Sequence, residues 1–189
     1  MNSGEEIKRK HIHPLSAVIM GTISLTLLLS YLSCKSGKTS IPEVGEHAPV
    51  FSLNDFSGEK FSLSRELKNN KAVLLWFTNL CKGCQRKIPE MEKIKNIYEK
   101  KGIEVVAISV LGEDRNTVEN AIQQNKITLR FLYDPKGRVT ELFSGKYYPG
   151  TCPLKNIFII GKEGKILYAN HYPGTEESEI MNTLEMIKY

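Results

Sequence analysis

Apolar residues along this chain follow two patterns, short continuous runs and stripes with a helical period. The runs at 72–77 and 103–109 have the composition of strands that are buried on both faces. Between them, Ile88, Met91 and Ile94 recur every three or four positions, which predicts an amphipathic helix that ends near Gly102. Alternating strands and helices predict an α/β domain with a central mixed sheet flanked by helices.

The rest of the chain after residue 40 continues this alternation. Two apolar patches, 48–53 and 60–63, flank a turn-rich segment and predict a hairpin ahead of the first buried strand. The later elements are predicted as helices at 117–126, 139–143 and 176–188, a strand at 128–133, and a terminal hairpin of 157–160 and 166–169. Residues 41–189 are therefore predicted to form one domain.

Residues 1–40 have the pattern of an export signal or membrane anchor. An uncharged run at 15–33 follows the basic cluster at 8–10 and precedes Cys34 and a polar tether. This charge order keeps the basic end in the cytoplasm and exports the chain beyond the run. The run resembles the signal peptide of a bacterial lipoprotein, in which Cys34 is lipidated. An uncleaved transmembrane helix is the other interpretation, because the run is long enough to just span a bilayer. Both predict an extracytoplasmic, membrane-anchored domain, on the periplasmic side of a bacterial membrane.

The formal net charge of +5 does not indicate a nucleic-acid partner. Residues 1–40 hold five of the 26 basic residues and only two of the 21 acidic ones, so the predicted domain is nearly neutral. Phosphate binding needs a dense basic stripe, and the domain has none. Nucleic acid is therefore excluded as a partner.

The chemistry of the domain is concentrated in Cys81 and Cys84, directly after the buried strand at 72–77. A helix that starts here presents unpaired N–H groups, which favour a thiolate at Cys81. Two thiols at this spacing can close a disulfide, so Cys81 is predicted to attack and Cys84 to resolve. No second ligand pair completes a zinc site, and a structural disulfide would close only a very short loop. The pair predicts a thiol–disulfide oxidoreductase whose only redox group is its own disulfide.

The segment 76–84, WFTNLCKGC, resembles the active site of membrane-tethered thioredoxin-like proteins of the TlpA/ResA type, in the redoxin/peroxiredoxin superfamily. Residues 45–53 and Pro89 resemble other characteristic parts of these proteins. The resemblance implies a thioredoxin-like fold with an added N-terminal hairpin. It implies exported cysteine-containing proteins as substrates, including apocytochromes c or copper-site proteins, and a membrane electron-transfer protein as redox partner.

The sequence departs from this family at the groups that accept a proton from the second cysteine. Thioredoxin has a buried acid six residues before the first cysteine, and ResA-type proteins have a Glu three residues after the second. These positions are Leu75 and Lys87 here. Glu90, Glu92 or water would then have to accept the proton.

Cys152, the third cysteine of the domain, directly precedes Pro153. The resemblance implies a cis-proline beside the cysteine pair, and Pro153 is a better candidate than Pro149. Pro153, Cys152 and Trp76 are then predicted to bind substrate. Cys152 has three interpretations: a third redox thiol, a small packing residue, or a Cu(I) ligand together with Cys81, Cys84 and His171.

Two alternative functions are consistent with these residues. A Cu(I)-binding module would use the three thiols Cys81, Cys84 and Cys152, because thiolates suit a soft cation. A thiol peroxidase is the other alternative, because Thr78 precedes Cys81 by three residues as in peroxiredoxins. The apolar Leu74 occupies the place of the peroxiredoxin proline, so disulfide exchange is the favoured function.

Overall fold

One mixed sheet of seven strands lies at the centre of the computed structural model, which describes residues 41–110, 114–148, 151–172 and 174–187. The strands are β1 (Ser52–Asp55), β2 (Lys60–Ser62), β3 (Ala72–Thr78), β4 (Ile103–Ser109), β5 (Arg130–Tyr133), β6 (Ile157–Gly161) and β7 (Ile166–Asn170). Their order is β2-β1-β5-β4-β3-β6-β7. The β3/β4 and β4/β5 pairs are parallel and the other neighbours are antiparallel. The predicted mixed sheet is confirmed.

The described residues form five α-helices. They are α1 (Leu63–Asn69), α2 (Lys82–Tyr98), α3 (Arg115–Gln124), α4 (Arg138–Ser144) and α5 (Glu177–Glu185), and a 3-10 turn at Glu99–Lys101 comes after α2. The sequence pattern predicted four of these helices and missed α1. Leu63, predicted to end a strand, begins this helix instead, and it buries Leu63 and Leu67 one turn apart. Two apolar positions in seven residues are too few for a recognisable helical period.

Strand β3 is buried along its whole length because both faces of the sheet are covered. Ala72, Leu74 and Trp76 belong to one core cluster, together with apolar residues of α2, α3 and α5. Successive side chains of a strand point to opposite faces. The alternate residues of β3 therefore belong to a second cluster, with residues of α1 and α4. The continuous apolar run in the sequence reflects this burial on both sides.

The predicted N-terminal hairpin is formed by β1 and β2, which pair antiparallel. Its turn includes Gly58, whose φ of 91° lies in the region that favours glycine. The Asp55 carboxylate accepts hydrogen bonds from the backbone N–H groups of Ser57 and Glu59, both at 2.9 Å. β1 also pairs with β5, so the hairpin extends the sheet at one edge.

The described residues lie in a compact unit that spans Thr39–Tyr189. None of the helices in this part of the chain combines the length and the apolar composition needed to cross a bilayer. The predictions made for residues 1–40, including lipidation of Cys34, lie outside the described residues.

Candidate active site

The turn from β3 into α2 carries the first cysteine to the start of the helix. Leu80 has a φ of 52°, a left-handed conformation that is uncommon for a side chain of its size. Side chains hold this turn: Leu80 N–H donates to Thr78 Oγ1 at 3.0 Å, and Cys81 N–H donates to Asn79 Oδ1 at 3.1 Å. Gln85 Nε2 donates to the Leu80 carbonyl at 2.7 Å. The strained turn is therefore closed by polar groups on both sides of Leu80.

Cys81 and Cys84 occupy different environments although they are three residues apart. Cys81 is the N-cap of α2, where its carbonyl accepts the first helical hydrogen bond from Gln85 N–H at 2.8 Å, and its side chain is exposed. Cys84 is completely buried one turn into the helix. Both thiols are free in this structure. An electrophile from solvent can reach the Cys81 sulfur but not the Cys84 sulfur.

Cys152 is half-buried and packs against the core cluster that contains Cys84. The Cys84 thiol donates a hydrogen bond to Asn79 Oδ1 at 3.9 Å. The neighbouring Cys152 thiol, and then burial, raise the pKa of Cys84. The Cys84 thiol lowers the pKa of Cys152, against the opposing effect of burial. These opposite shifts of the two pKa values mean that Cys152 loses its proton at a lower pH than Cys84.

Asn156 was not singled out from the sequence, yet it orients the third thiol. Its Nδ2 donates to the Cys152 sulfur at 3.5 Å and to the Tyr172 carbonyl at 2.6 Å. Its Oδ1 accepts from Tyr172 N–H at 2.6 Å. The only local signal for this residue is a polar side chain directly before the apolar run at 157–160.

Tyr172 covers the buried side of the site and was also missed. Its ring meets Trp76 edge to face, with centroids 5.8 Å apart, and its hydroxyl donates to Glu90 Oε2 at 3.2 Å. Burial, and then the Glu90 carboxylate, raise the pKa of Tyr172. Trp76 itself has 0% exposure. The prediction that Trp76 binds substrate is wrong for this structure, because Trp76 is a core residue.

Pro153 is buried next to Cys152, but its peptide bond is not cis. No cis peptide bond occurs among the described residues, so the expectation of a cis-proline at Pro153 is wrong. The Pro153 carbonyl lies 3.2 Å from His171 Nδ1. Pro149, the other candidate, lies outside the described residues.

The groups expected to act on the Cys84 proton are engaged elsewhere. Lys87 Nζ forms an ion pair with Glu90 Oε2 at 2.8 Å. Glu92 accepts hydrogen bonds from Thr128 N–H at 2.6 Å and Leu129 N–H at 3.1 Å. Glu92 is therefore held at residues 128–129, directly before β5. The Glu90 carboxylate accepts from both Lys87 and Tyr172.

The Cu(I) hypothesis requires three thiolates converging on one point. Within the part of the chain that the structure describes, no group of three His, Cys, Asp or Glu side chains is arranged to hold a metal ion. The ligand set predicted from Cys81, Cys84, Cys152 and His171 therefore does not fit a metal site.

Comparisons with known proteins agree with the predicted thiol–disulfide oxidoreductase activity. The AhpC/TSA family description matches residues 44–169. The thiol-disulfide oxidoreductase ResA of Geobacillus thermodenitrificans is 30% identical over 177 residues, which cover 90% of this chain and 96% of the relative. The ResA protein of Halalkalibacterium halodurans is 28% identical over 170 residues, which cover 90% and 92% of the two chains.

A solved structure confirms the predicted thioredoxin-like fold. The crystal structure of a thiol:disulfide interchange protein of the thioredoxin family from Chlorobium tepidum matches with a TM-score of 0.60 and 22% identity. The match covers 77% of this chain and 97% of that chain. At this identity the likeness concerns the fold alone.

Proposed function

We propose that Cys81 and Cys84 form the redox pair of this chain, which belongs to the AhpC/TSA family and is a thiol–disulfide oxidoreductase. Its resemblance to ResA/TlpA-type redoxins predicted this activity. The observation that carries this proposal is the difference in exposure between the two thiols at the start of α2. An exposed thiol can attack a substrate, and a buried neighbour can react only with a group that is already bound.

The reaction then proceeds in two exchange steps. The Cys81 thiolate attacks one sulfur of a substrate disulfide, and the other substrate sulfur leaves as a thiolate. Cys84 next attacks the Cys81 sulfur, which breaks the mixed disulfide and releases the second substrate thiolate. The substrate gains two electrons and the protein holds a Cys81–Cys84 disulfide. The reverse sequence oxidises a substrate dithiol.

The substrates in this proposal are exported proteins with cysteine pairs. Tyr148 and Leu154 support a polypeptide substrate, because they are 83% and 78% exposed and lie on the same segment as Cys152 and Pro153. Aromatic side chains such as that of Tyr148 are enriched in protein interfaces relative to the rest of the surface. Cys152, which is half-buried, would then contact the bound segment, and a membrane electron-transfer protein would reset the pair.

In this proposal the protein is located outside the cytoplasm, and residues 1–40 are its export and anchoring segment. The composition of 15–33 and the basic cluster before it support this placement. Cys34→Ala distinguishes the two forms of anchor. We expect the variant precursor to remain uncleaved if Cys34 is lipidated, as seen by mass on a gel. Unchanged processing and membrane retention would favour an uncleaved anchor.

Two single substitutions test the redox pair. We expect Cys81→Ser to abolish reduction of insulin disulfides, and Cys84→Ser to accumulate mixed disulfides with protein substrates, because only the resolving step is lost. Cys34→Ser is the matched control and should keep full activity. Full activity in Cys81→Ser would contradict the proposal. Faster turnover of hydrogen peroxide than of disulfides by the reduced protein would instead favour a thiol peroxidase.

A further inference from the structure

Asn79 places one side-chain oxygen between the two cysteines of the redox pair. Its Oδ1 accepts a hydrogen bond from Cys81 N–H at 3.1 Å and a second one from the Cys84 thiol, with 3.9 Å between oxygen and sulfur. A thiol is a weak donor, so the second bond is the weaker of the two. Asn79 is only 8% exposed, so water competes little for this oxygen.

The orientation of the Asn79 amide determines the protonation state that the Cys84 bond requires. An amide group has an acceptor oxygen and a donor nitrogen. The N–H of Cys81 is itself a donor, so only the oxygen of Asn79 can face it. The same oxygen faces Cys84 and has no proton to donate. The bond to Cys84 therefore exists only while the Cys84 sulfur carries its proton.

The turn before α2 holds this oxygen in place. Leu80 follows Asn79 with a φ of 52°, and its N–H donates to Thr78 Oγ1 at 3.0 Å. Gln85 Nε2 donates to the Leu80 carbonyl at 2.7 Å, which ties the turn to the beginning of the helix. The position of the Asn79 oxygen is therefore set by the turn and does not depend on the Cys84 thiol.

We propose that Asn79 is a positioning residue that stabilises the dithiol form of the Cys81–Cys84 pair, through the hydrogen bond that it accepts from Cys84. This role rests on the proposed function of the pair. Oxidation removes one proton from each sulfur and joins the two sulfurs, and the two electrons pass to the disulfide that is reduced. The oxidised pair has no S–H group, so Asn79 loses the donor on Cys84. The bond from Cys81 N–H can persist, because no backbone atom reacts.

A contact that exists only in the dithiol form makes the pair a stronger oxidant. It shifts the equilibrium away from the protein disulfide, so the disulfide accepts electrons from other thiols more readily. The direction of electron flow between the pair and a partner depends on the difference between their reduction potentials. Asn79 would therefore adjust which thiols the pair can oxidise and which it can reduce.

Equilibration with glutathione measures this effect. Full-length protein in detergent carries Cys34→Ser and Cys152→Ser, so that Cys81 and Cys84 are its only thiols. The protein is incubated with known ratios of glutathione and glutathione disulfide, quenched with acid and alkylated, and its mass gives the oxidised fraction. One glutathione disulfide becomes two glutathione thiols for each protein disulfide formed, so the equilibrium constant follows from these ratios.

We expect Asn79→Ala and Asn79→Leu to raise the equilibrium constant for the protein disulfide by about two- to fivefold, the effect of one modest hydrogen bond. Leucine is close to asparagine in size but offers no acceptor, so it separates loss of the bond from loss of packing. Gln85→Ala is the matched control, because this side chain holds the same turn through the Leu80 carbonyl, and it should keep the parent constant. Thermal unfolding of the reduced variants checks that they are folded.

A second measurement observes the bond itself. With Cys81→Ser added to the same protein, Cys84 is the only thiol, and infrared spectroscopy records its S–H stretch. We expect this stretch at a higher frequency after Asn79→Ala than before it, because donation to an acceptor weakens the S–H bond. A role of Asn79 in packing alone would leave the frequency unchanged.

Three results would overturn the role of Asn79. These are a parent-like equilibrium constant in either Asn79 variant, an equal shift in Gln85→Ala, and an S–H stretch that does not move after Asn79→Ala. A parent that forms no Cys81–Cys84 disulfide at any glutathione ratio would instead contradict the proposed redox pair itself.

Discussion

The side-chain amide of Asn156 forms two hydrogen bonds with the backbone of Tyr172. Its Oδ1 accepts from Tyr172 N–H and its Nδ2 donates to the Tyr172 carbonyl, each at 2.6 Å. Asn156 is completely buried, so water cannot take over either hydrogen bond. These two hydrogen bonds connect the segment before β6 to the segment before α5. It also fixes which end of the amide faces Cys152.

Asn156→Ala should therefore destabilise the domain strongly. The substitution leaves the N–H and the carbonyl of Tyr172 without partners inside the protein, at a cost on the order of 3 kcal/mol in the free energy of unfolding. Urea denaturation followed by circular dichroism measures this change. Asn96→Ala, at an exposed position of α2, is the matched control and should change stability by less than about 0.5 kcal/mol. Equal stability of the two variants would contradict this account of Asn156.

The thiols should differ in their rates of alkylation. We expect iodoacetamide to modify Cys81 at least about tenfold faster than Cys84 in the reduced protein, because Cys81 is exposed and Cys84 is completely buried. Mass spectrometry of the digested protein assigns each site. In denaturant the two rates should become similar, which serves as the control. Equal rates in the folded protein would show that α2 opens readily at its start.

Stability should decrease at high pH through Tyr172. The folded protein has a raised pKa at this hydroxyl, whereas the unfolded chain loses the proton at a pH of about 10. The stabilisation is therefore complete below about pH 10 and is lost as the pH rises, because unfolding then releases a proton. The expected slope is about 1.4 kcal/mol per pH unit.

Tyr172→Phe should remove this part of the pH dependence. Denaturant unfolding of the parent and the variant at several pH values, under reducing conditions, measures the difference in slope. Tyr148→Phe is the matched control, since Tyr148 is 83% exposed, and should keep the slope of the parent. A parent-like slope in Tyr172→Phe would mean that this hydroxyl ionises in the folded protein as it does in the unfolded chain.

Removal of residues 1–40 should leave a folded and redox-active domain. The apolar core residues begin at Ala48. The segment at 45–48 is hydrogen-bonded to the β6–β7 hairpin, because Gly45 N–H donates to the Ile166 carbonyl and Ala48 N–H to the Gly164 carbonyl. Cooperative thermal unfolding and insulin reduction by the chain 41–189 measure this outcome. Loss of either property would show that residues 1–40 contribute contacts to the domain.

Much of the fold could be predicted from the sequence because its signals are local. The apolar run at 72–77 indicated a strand covered on both faces, and the stripe of Ile88, Met91 and Ile94 indicated the long helix α2. The same pattern predicted that this helix starts at the cysteine pair. Helix α1 was missed because it is short and has only two apolar anchors.

The buried side of the site could not be predicted in this way, because its residues come from distant segments. Antiparallel pairing of β3 with β6 places the start of β6 beside the end of β3, where Phe77 N–H donates to the Asn156 carbonyl at 2.7 Å. This register places Asn156, which donates to Cys152, beside the end of β3. The sequence by itself determined the two thiols, their spacing and the helix that presents them. The tertiary structure alone decided that Asn156 donates to Cys152 and that Tyr172 covers the buried side of the site, because long-range strand pairing and packing set these contacts.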